Sequence, residues 1–134
     1  MLLLDSDVLM DLLSGRNDQR QSEWFKLHPE RPHTSALAVA EVLTAIGSLH
    51  EWERLSAGKA ATTILATALD RRVVPFDLDC AEPLARLARL KRADGTYYPL
   101  ATLMSAALAA RYSAELVTGR PEEYAGLGIA TVSP

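Results

Sequence analysis

The chain has one cysteine, Cys80, and so cannot close an intrachain disulfide. A disulfide-built fold is excluded, and a reducing, cytoplasmic setting is the expectation. His28, His33 and His50 stand at spacings that match no metal-ligand pattern, and Cys80 has no second thiol to join it. No stretch is long and apolar enough to cross a bilayer; the least polar one, residues 100–110, reads as a core helix. The run Leu2-Leu3-Leu4 has no positive residue before it and is too short for a signal peptide, so no contact with a membrane is expected. Positive charge is not in excess either: 14 Lys and Arg face 17 Asp and Glu, for a formal net charge of -3. Bulk attraction to nucleic acid is thereby excluded, and any RNA or DNA contact needs a local basic patch or a metal ion. Internal repeats and low-complexity linkers are absent as well.

What is present is a chain of 134 residues, 49% apolar and 23% charged, which suits a single globular domain over residues 1–134. It opens on Met1-Leu2-Leu3-Leu4, then breaks into Asp5-Ser6-Asp7 before turning apolar again at Val8-Leu9-Met10. Four apolar residues in a row cannot leave one face to water, so the pattern predicts a central parallel strand. A helix is expected over residues 7–13, with Asp5 or Ser6 as cap and Gly15 as terminator, and a second over residues 18–27. A strand over residues 33–36 and a helix over residues 38–50 follow, then a helix over residues 58–69 and a strand over residues 72–76. Asp79, with Glu82 three residues on, reads as a capping box for a helix reaching about Arg92. Asp94-Gly95 marks a turn, residues 101–112 a helix, residues 115–118 a strand, residues 121–124 a helical turn and residues 129–132 a last strand. Strands alternating with helices specify an α/β fold, a three-layer α/β/α sandwich with a central parallel sheet. Short connections then gather the residues after Leu4, Ala36 and Thr118 on the carboxyl edge of that sheet.

Asp5 and Asp7 leave the first strand at that edge, where open α/β sheets place their ligands. Each also suits a plain structural task, since an aspartate ahead of a helix accepts a backbone N–H. Asp5 is the better candidate for chemistry and Asp7 the better candidate for support. Glu41 lies within Ala36-Leu37-Ala38-Val39-Ala40-Glu41-Val42-Leu43. A carboxylate in such a run is costly unless it is paired, faces solvent or meets a metal; Ala38, three residues before it, cannot complete a capping box. Oxygen ligands suit Mg2+ or Mn2+, and a cation bridging Asp5 and Glu41 is the expectation.

These residues resemble a known family. The starting strand with Asp5-Ser6-Asp7-Val8-Leu9, the segment from Thr34 to Leu43 containing Glu41, and the tail Ala114-Glu115-Leu116-Val117-Thr118-Gly119 leading to Gly126-Leu127 are similar in order and spacing to PIN-domain proteins of the VapC toxin type. The resemblance spans nearly the whole chain. It implies an α/β/α sandwich, a Mg2+- or Mn2+-dependent endoribonuclease and a small antitoxin as partner, with a homodimer expected. It carries Asp5 and Glu41 over as metal ligands. The family's third acid falls about fourteen residues before the Leu of the Leu-Val-Thr strand, which here is the neutral Thr102, so Thr102 inherits the position and at most orients a water. An acid or asparagine usual after that strand is replaced by Gly119 and Arg120. Arg120 repels a cation and is expected to serve partly as counter-charge for Asp5 and Glu41. Asp94, Glu122 and Glu123 are the nearby acids that would compensate, although a turn and the start of a short helix explain them equally well.

The competing reading is a PIN-like domain that keeps its fold and its RNA- or antitoxin-binding surfaces and has lost most catalysis. A third possibility is that Asp5-Ser6-Asp7 resembles the opening motif of haloacid-dehalogenase-like phosphatases; neither Lys59 nor Lys91 has the context that family needs, and no late acidic pair follows. Arg86, Arg89, Lys91 and Arg92 form a basic cluster that suits a helix end or a phosphate-guiding rim. Tyr97-Tyr98 either packs or stacks on a base. Trp24, Phe25 and Trp52 are expected mainly in the core, and exposure would mark a partner face.

Overall fold

The computed structural model describes residues 1–16 and 18–134. Among them β1 (Leu2–Leu4), α1 (Ser6–Ser14), α2 (Gln19–Leu27), β2 (His33–Ser35), α3 (Ala36–Gly47), α4 (Glu51–Thr67) and β3 (Val73–Val74) form the first part of the chain. A 3-10 turn (Leu78–Cys80), α5 (Ala81–Leu87), α6 (Leu100–Tyr112), β4 (Glu115–Val117), a second 3-10 turn (Pro121–Tyr124) and β5 (Thr131–Val132) complete it. The strands pair in parallel in the order β3-β2-β1-β4-β5. This is the expected α/β sandwich with a parallel sheet. No described helix is long and apolar enough to cross a membrane.

The strand order fixes where a site can form. The chain builds outward from β1 to β2 and β3, then returns to the other side of β1 for β4 and β5. The direction reverses between β1 and β4, and a crevice opens at such a reversal outside the carboxyl ends of the strands. Leu3 pairs with Leu116 and Leu4 with Val117 across that seam. Side chains alternate along a strand, so Leu3 and Leu116 pack with Leu103, Ala107 and Leu108 of α6 on one face. Leu2, Leu4 and Val117 pack with Val8 and the half-buried Trp24 and Phe25 on the other. A third cluster joins Leu9 and Leu13 of α1 to Val42 and Ile46 of α3 and Ala61 of α4.

Several boundaries differ from expectation for local reasons. The third helix starts two residues early, at Ala36, because Ser35 caps it by accepting the N–H of Ala38 at 3.0 Å. The fourth starts at Glu51, seven residues before Gly58; Glu51 and Glu53 fall in its first turn, where acids complement the helix dipole. Trp52 therefore precedes the packed stretch of that helix and is 72% exposed, not part of the core. Asp79 caps nothing: its carboxylate takes Arg111 at 3.0 Å, and α5 begins without a side-chain cap. That helix ends at Leu87, short of Arg92, because the chain folds back on itself. Arg92 N–H donates to Thr96 O at 2.7 Å, and Lys91 pairs with Tyr97 in a single antiparallel bridge around the Asp94-Gly95 turn.

Candidate active site

Asp5 is the first residue past β1. Its N–H donates to Val117 O at 3.0 Å, which extends the β1–β4 pairing by one residue, and its carbonyl accepts Leu9 N–H at 3.0 Å as α1 begins. Backbone on both sides thus fixes the side chain, which is only 4% exposed. Burying a carboxylate is costly unless donors replace water. Here Oδ1 accepts the Ser6 N–H at 2.9 Å, and Oδ2 accepts the hydroxyls of Thr118 at 3.0 Å and Tyr124 at 2.7 Å. Both hydroxyls come from the segment after β4, so the carboxylate ties β1 to that segment across the seam. Burial, then the Asp5 charge and the bond to it, push the Tyr124 hydroxyl far above the usual phenol range. It stays a donor. The Ser105 side chain, on α6, acts against that rise.

Asp7 turns toward the same segment. Its Oδ1 accepts the Val8 N–H at 2.7 Å and its Oδ2 the Gly119 N–H at 2.9 Å. A Cβ at residue 119 would lie 3.0 Å from that Oδ2, so glycine is what lets the backbone approach. Burial first, and the Asp5 charge second, raise the Asp7 carboxyl above its ordinary 3.8 against the pull of those N–H groups and Arg120. Arg120 pairs with Asp7 through Nε at 3.5 Å and with Glu123 through Nη1 at 3.2 Å. Burial alone would lower its basicity; Glu123, Asp7 and Asp5 outweigh that and raise it. The expectation that Arg120 pairs with Asp5 or Glu41 is corrected in its partners: the bonded acids are Asp7 and Glu123, and Asp5 feels the guanidinium only at longer range.

Glu41 sits on α3, half-buried, on the unit that follows β2, the neighbour of β1. Among the described residues none of the ion pairs uses it. Thr102 is buried in the first turn of α6, one turn before Ser105 and on the same face by helical spacing. No direct bond links Glu41 or Thr102 to the cluster around Asp5. Asp94 serves its own turn, accepting the N–H and hydroxyl of Thr96 at 2.9 and 2.6 Å; Glu123 is taken by Arg120; Glu122 is exposed.

Among the described residues no group of three or more His, Cys, Asp and Glu side chains is gathered to hold a metal ion. The acids expected to share a cation, Asp5 and Glu41, offer oxygen ligands only, and among the described residues no hydrogen bond or ion pair links them. Oδ2 of Asp5 already accepts two hydroxyls, while Oδ1 accepts a single N–H. This donor set fits a hard cation that keeps most of its water, as Mg2+ does, and does not fit a fully caged ion.

Sequence reasoning placed Thr118 at this edge but missed Tyr124 and Ser105. Tyr124 lies in a 3-10 turn whose type was expected, yet nothing in its neighbours signals a bond to Asp5, 119 residues away. Ser105 sits in an apolar helical stretch that reads as core.

Residues 2–119 match the PIN domain family. This chain belongs to that family. Its fold is shared with FitAcB from Neisseria gonorrhoeae at a TM-score of 0.83 and 21% identity, over 98% of this chain and 96% of the other. VapBC2 from Rickettsia felis, solved bound to a DNA fragment from its promoter, gives 0.83 at 15% identity over 99% and 98%. VapC20 from Mycobacterium tuberculosis, a sarcin-ricin loop cleaving toxin, gives 0.68 at 18% identity over the full length of both. None of the curated protein sequences matches the chain. For this PIN domain the place of Asp5 at the β1–β4 reversal is a property of the shared architecture, while the bonds made by Tyr124 and Arg120 are read from its own coordinates.

Proposed function

We propose that this PIN domain is a toxin-type endoribonuclease that works with a weakly held Mg2+ or Mn2+ at an incomplete acidic site. The observation that carries the reading is the buried carboxylate of Asp5 at the reversal point of a parallel sheet, with Glu41, which no ion pair among the described residues uses, on the adjoining unit. The toxin VapC20, of the same fold, cleaves the sarcin-ricin loop, which supports RNA as the substrate class. A toxin-antitoxin complex from Klebsiella pneumoniae, of the same fold, supports an antitoxin as protein partner, and a cytoplasmic homodimer completes the proposal.

Asp5 and Glu41 are the residues that would hold the ion. A divalent ion, when bound, neutralises charge on the scissile phosphate and lowers the pKa of water. The chain's own residues supply the rest. Ser6, Thr118 and Tyr124 hold Asp5 in one orientation, so no reorganisation is needed as charge develops nearby. Glu41, which none of the ion pairs among the described residues uses, keeps its carboxylate available for the ion. Thr102 offers a hydroxyl where a further carboxylate would add negative charge. Arg120 is anchored by Asp7 and Glu123, has a side chain 48% exposed, and presents a planar guanidinium suited to a phosphate.

A second reading is favoured by one observation: both hydroxyl bonds fall on Oδ2 of Asp5 and so compete with a cation. In that reading the domain binds RNA or an antitoxin and does not cut. Purified protein is incubated with RNA and Mn2+, next to Asp5→Ala and the double variant Thr102→Asp/Arg120→Asn. Cleavage by wild type that Asp5→Ala abolishes establishes the ribonuclease. Cleavage by the double variant alone establishes the binding module.

A further inference from the structure

The segment between α5 and α6 is a short hairpin with two unlike faces. Lys91 and Tyr97 are direct cross-strand partners, and Arg92 donates its N–H to Thr96 O at 2.7 Å. Neighbouring residues of an extended ladder point to opposite sides. Tyr98 therefore turns inward: it is 6% exposed, its hydroxyl donates to Ala125 O, and the Arg92 guanidinium lies 5.1 Å from its ring. Tyr97 turns outward and is 63% exposed, with the Lys91 ammonium 5.2 Å from its ring centroid. The turn is braced by Asp94, whose carboxylate is spent on Thr96. An exposed aromatic ring is thus held by a braced turn on one side and an anchored neighbour on the other.

Its position ties it to the site. Tyr98 is bonded to Ala125, the residue after Tyr124, which is bonded to Asp5. Pro99 follows and α6 begins at Leu100, two residues before Thr102. The surrounding charge is positive and free: none of the ion pairs among the described residues uses Arg89 or Lys91, and both are exposed. Asp94 and Glu122 line the hollow on the Arg92–Tyr98 side, away from the Tyr97 ring.

We infer that the Lys91–Tyr97 hairpin is a single-stranded RNA contact beside the active site, in which an unpaired base stacks on the Tyr97 ring and Lys91 and Arg89 meet the flanking phosphates. The inference rests on the ribonuclease reading for its substrate class and adds the element that grips it. A base needs a flat aromatic face, which every base can use, and a phosphate needs an unpaired cation; the hairpin presents both within one turn. The Lys91 ammonium takes one side of the ring and leaves the other for the base.

The test is binding of a short, unpaired, fluorescein-labelled oligoribonucleotide by the full chain in EDTA, where cleavage is silent. Tyr97→Ala is expected to weaken binding about tenfold, and Tyr97→Phe, which keeps the ring, to bind as wild type does. Lys91→Ala is expected to reduce the slope of log affinity against log salt by roughly 0.7. All three variants replace a side chain on an exposed face, so melting temperatures should match wild type. Equal binding by wild type and Tyr97→Ala overturns the inference, and if Tyr97→Ala instead weakens self-association, the face is a protein contact. Wild type that binds RNA through Tyr97 and never cuts it with Mn2+ overturns the ribonuclease reading and leaves the hairpin contact standing. Wild type that binds no RNA overturns the inference, and cleavage with Mn2+ decides the ribonuclease reading separately.

Discussion

Asp5 illustrates how donors from the chain itself hold a buried carboxylate. Three donors surround it, two of them hydroxyls on a segment that begins 113 residues away. Hydrogen bonds to a charged group are stronger than neutral ones, and deleting one leaves an uncompensated buried oxygen. Tyr124→Phe is therefore expected to destabilise the fold by about 1.5–3 kcal/mol, read from urea unfolding. In an Asp5→Asn background the same change should cost less, and a cycle with no coupling would show that Tyr124 acts by packing alone. Asp7 makes the opposite kind of prediction. Burial and the Asp5 charge raise its carboxyl above 3.8 in the folded chain. Between 3.8 and that raised value the folded state binds more protons than the unfolded state, so this group's contribution falls as pH rises through the window. Asp7→Asn has no such window. The difference in melting temperature, variant minus wild type, should grow as pH is raised from below 3.8, and a difference flat with pH refutes the assignment.

At the level of elements, the seam between β1 and β4 is held by more than its ladder. Beyond the last pair, Leu4 with Val117, the side chains of Asp5 and Asp7 reach across to Thr118, Gly119 and Tyr124. Gly119→Ala places a methyl 3.0 Å from Oδ2 of Asp7, on a carboxylate that two N–H groups hold in place, one at each oxygen. The expected cost is about 1–2 kcal/mol in urea unfolding, and Asp7→Ala in the same chain should remove most of it. The elements themselves were largely legible, because their signals are local: apolar Leu2–Leu4, the Gly15 terminator, the alternation of strands and helices. Two of the misplacements have distinct causes. Asp79 and Glu82 form a capping pattern in one dimension, but Arg111 on α6 competes for Asp79 and wins in three. The basic cluster reads as a helix end, yet the Asp94–Thr96 bonds fold it into a hairpin. The first is a contact with another helix and the second a local turn, and each overrides the pattern read along the chain.

For the molecule as a whole, the sheet edge was legible and its wiring was not. A parallel sheet obliges residues after its strands to meet, which is why Asp5, Thr118 and Arg120 could be grouped from the sequence. Topology does not say which donor reaches which acceptor, so the bond from Tyr124 to Asp5 and the choice of Asp7 by Arg120 needed coordinates. The same wiring sets the charge that a cation would meet. In the proposed site two acids would face it, one of them engaged by hydroxyls, with Arg120 bonded to the neighbouring Asp7, and binding stabilises a fold only in proportion to its affinity. Wild type should therefore gain little melting temperature from Mn2+. Thr102→Asp/Arg120→Asn adds one carboxylate and removes one cation at the same edge. Without metal this variant should melt below wild type, since the new carboxylate lies at a position only 7% exposed with no donor supplied. With Mn2+ it should recover and overtake, each tenfold gain in affinity adding about 1.4 kcal/mol at saturating metal. Thermal melts of both proteins across a Mn2+ series decide the matter. A wild-type shift as large as the variant's would mean that Asp5 and Glu41 alone hold the ion tightly, and that neither the hydroxyls on Asp5 nor Arg120 weakens the site.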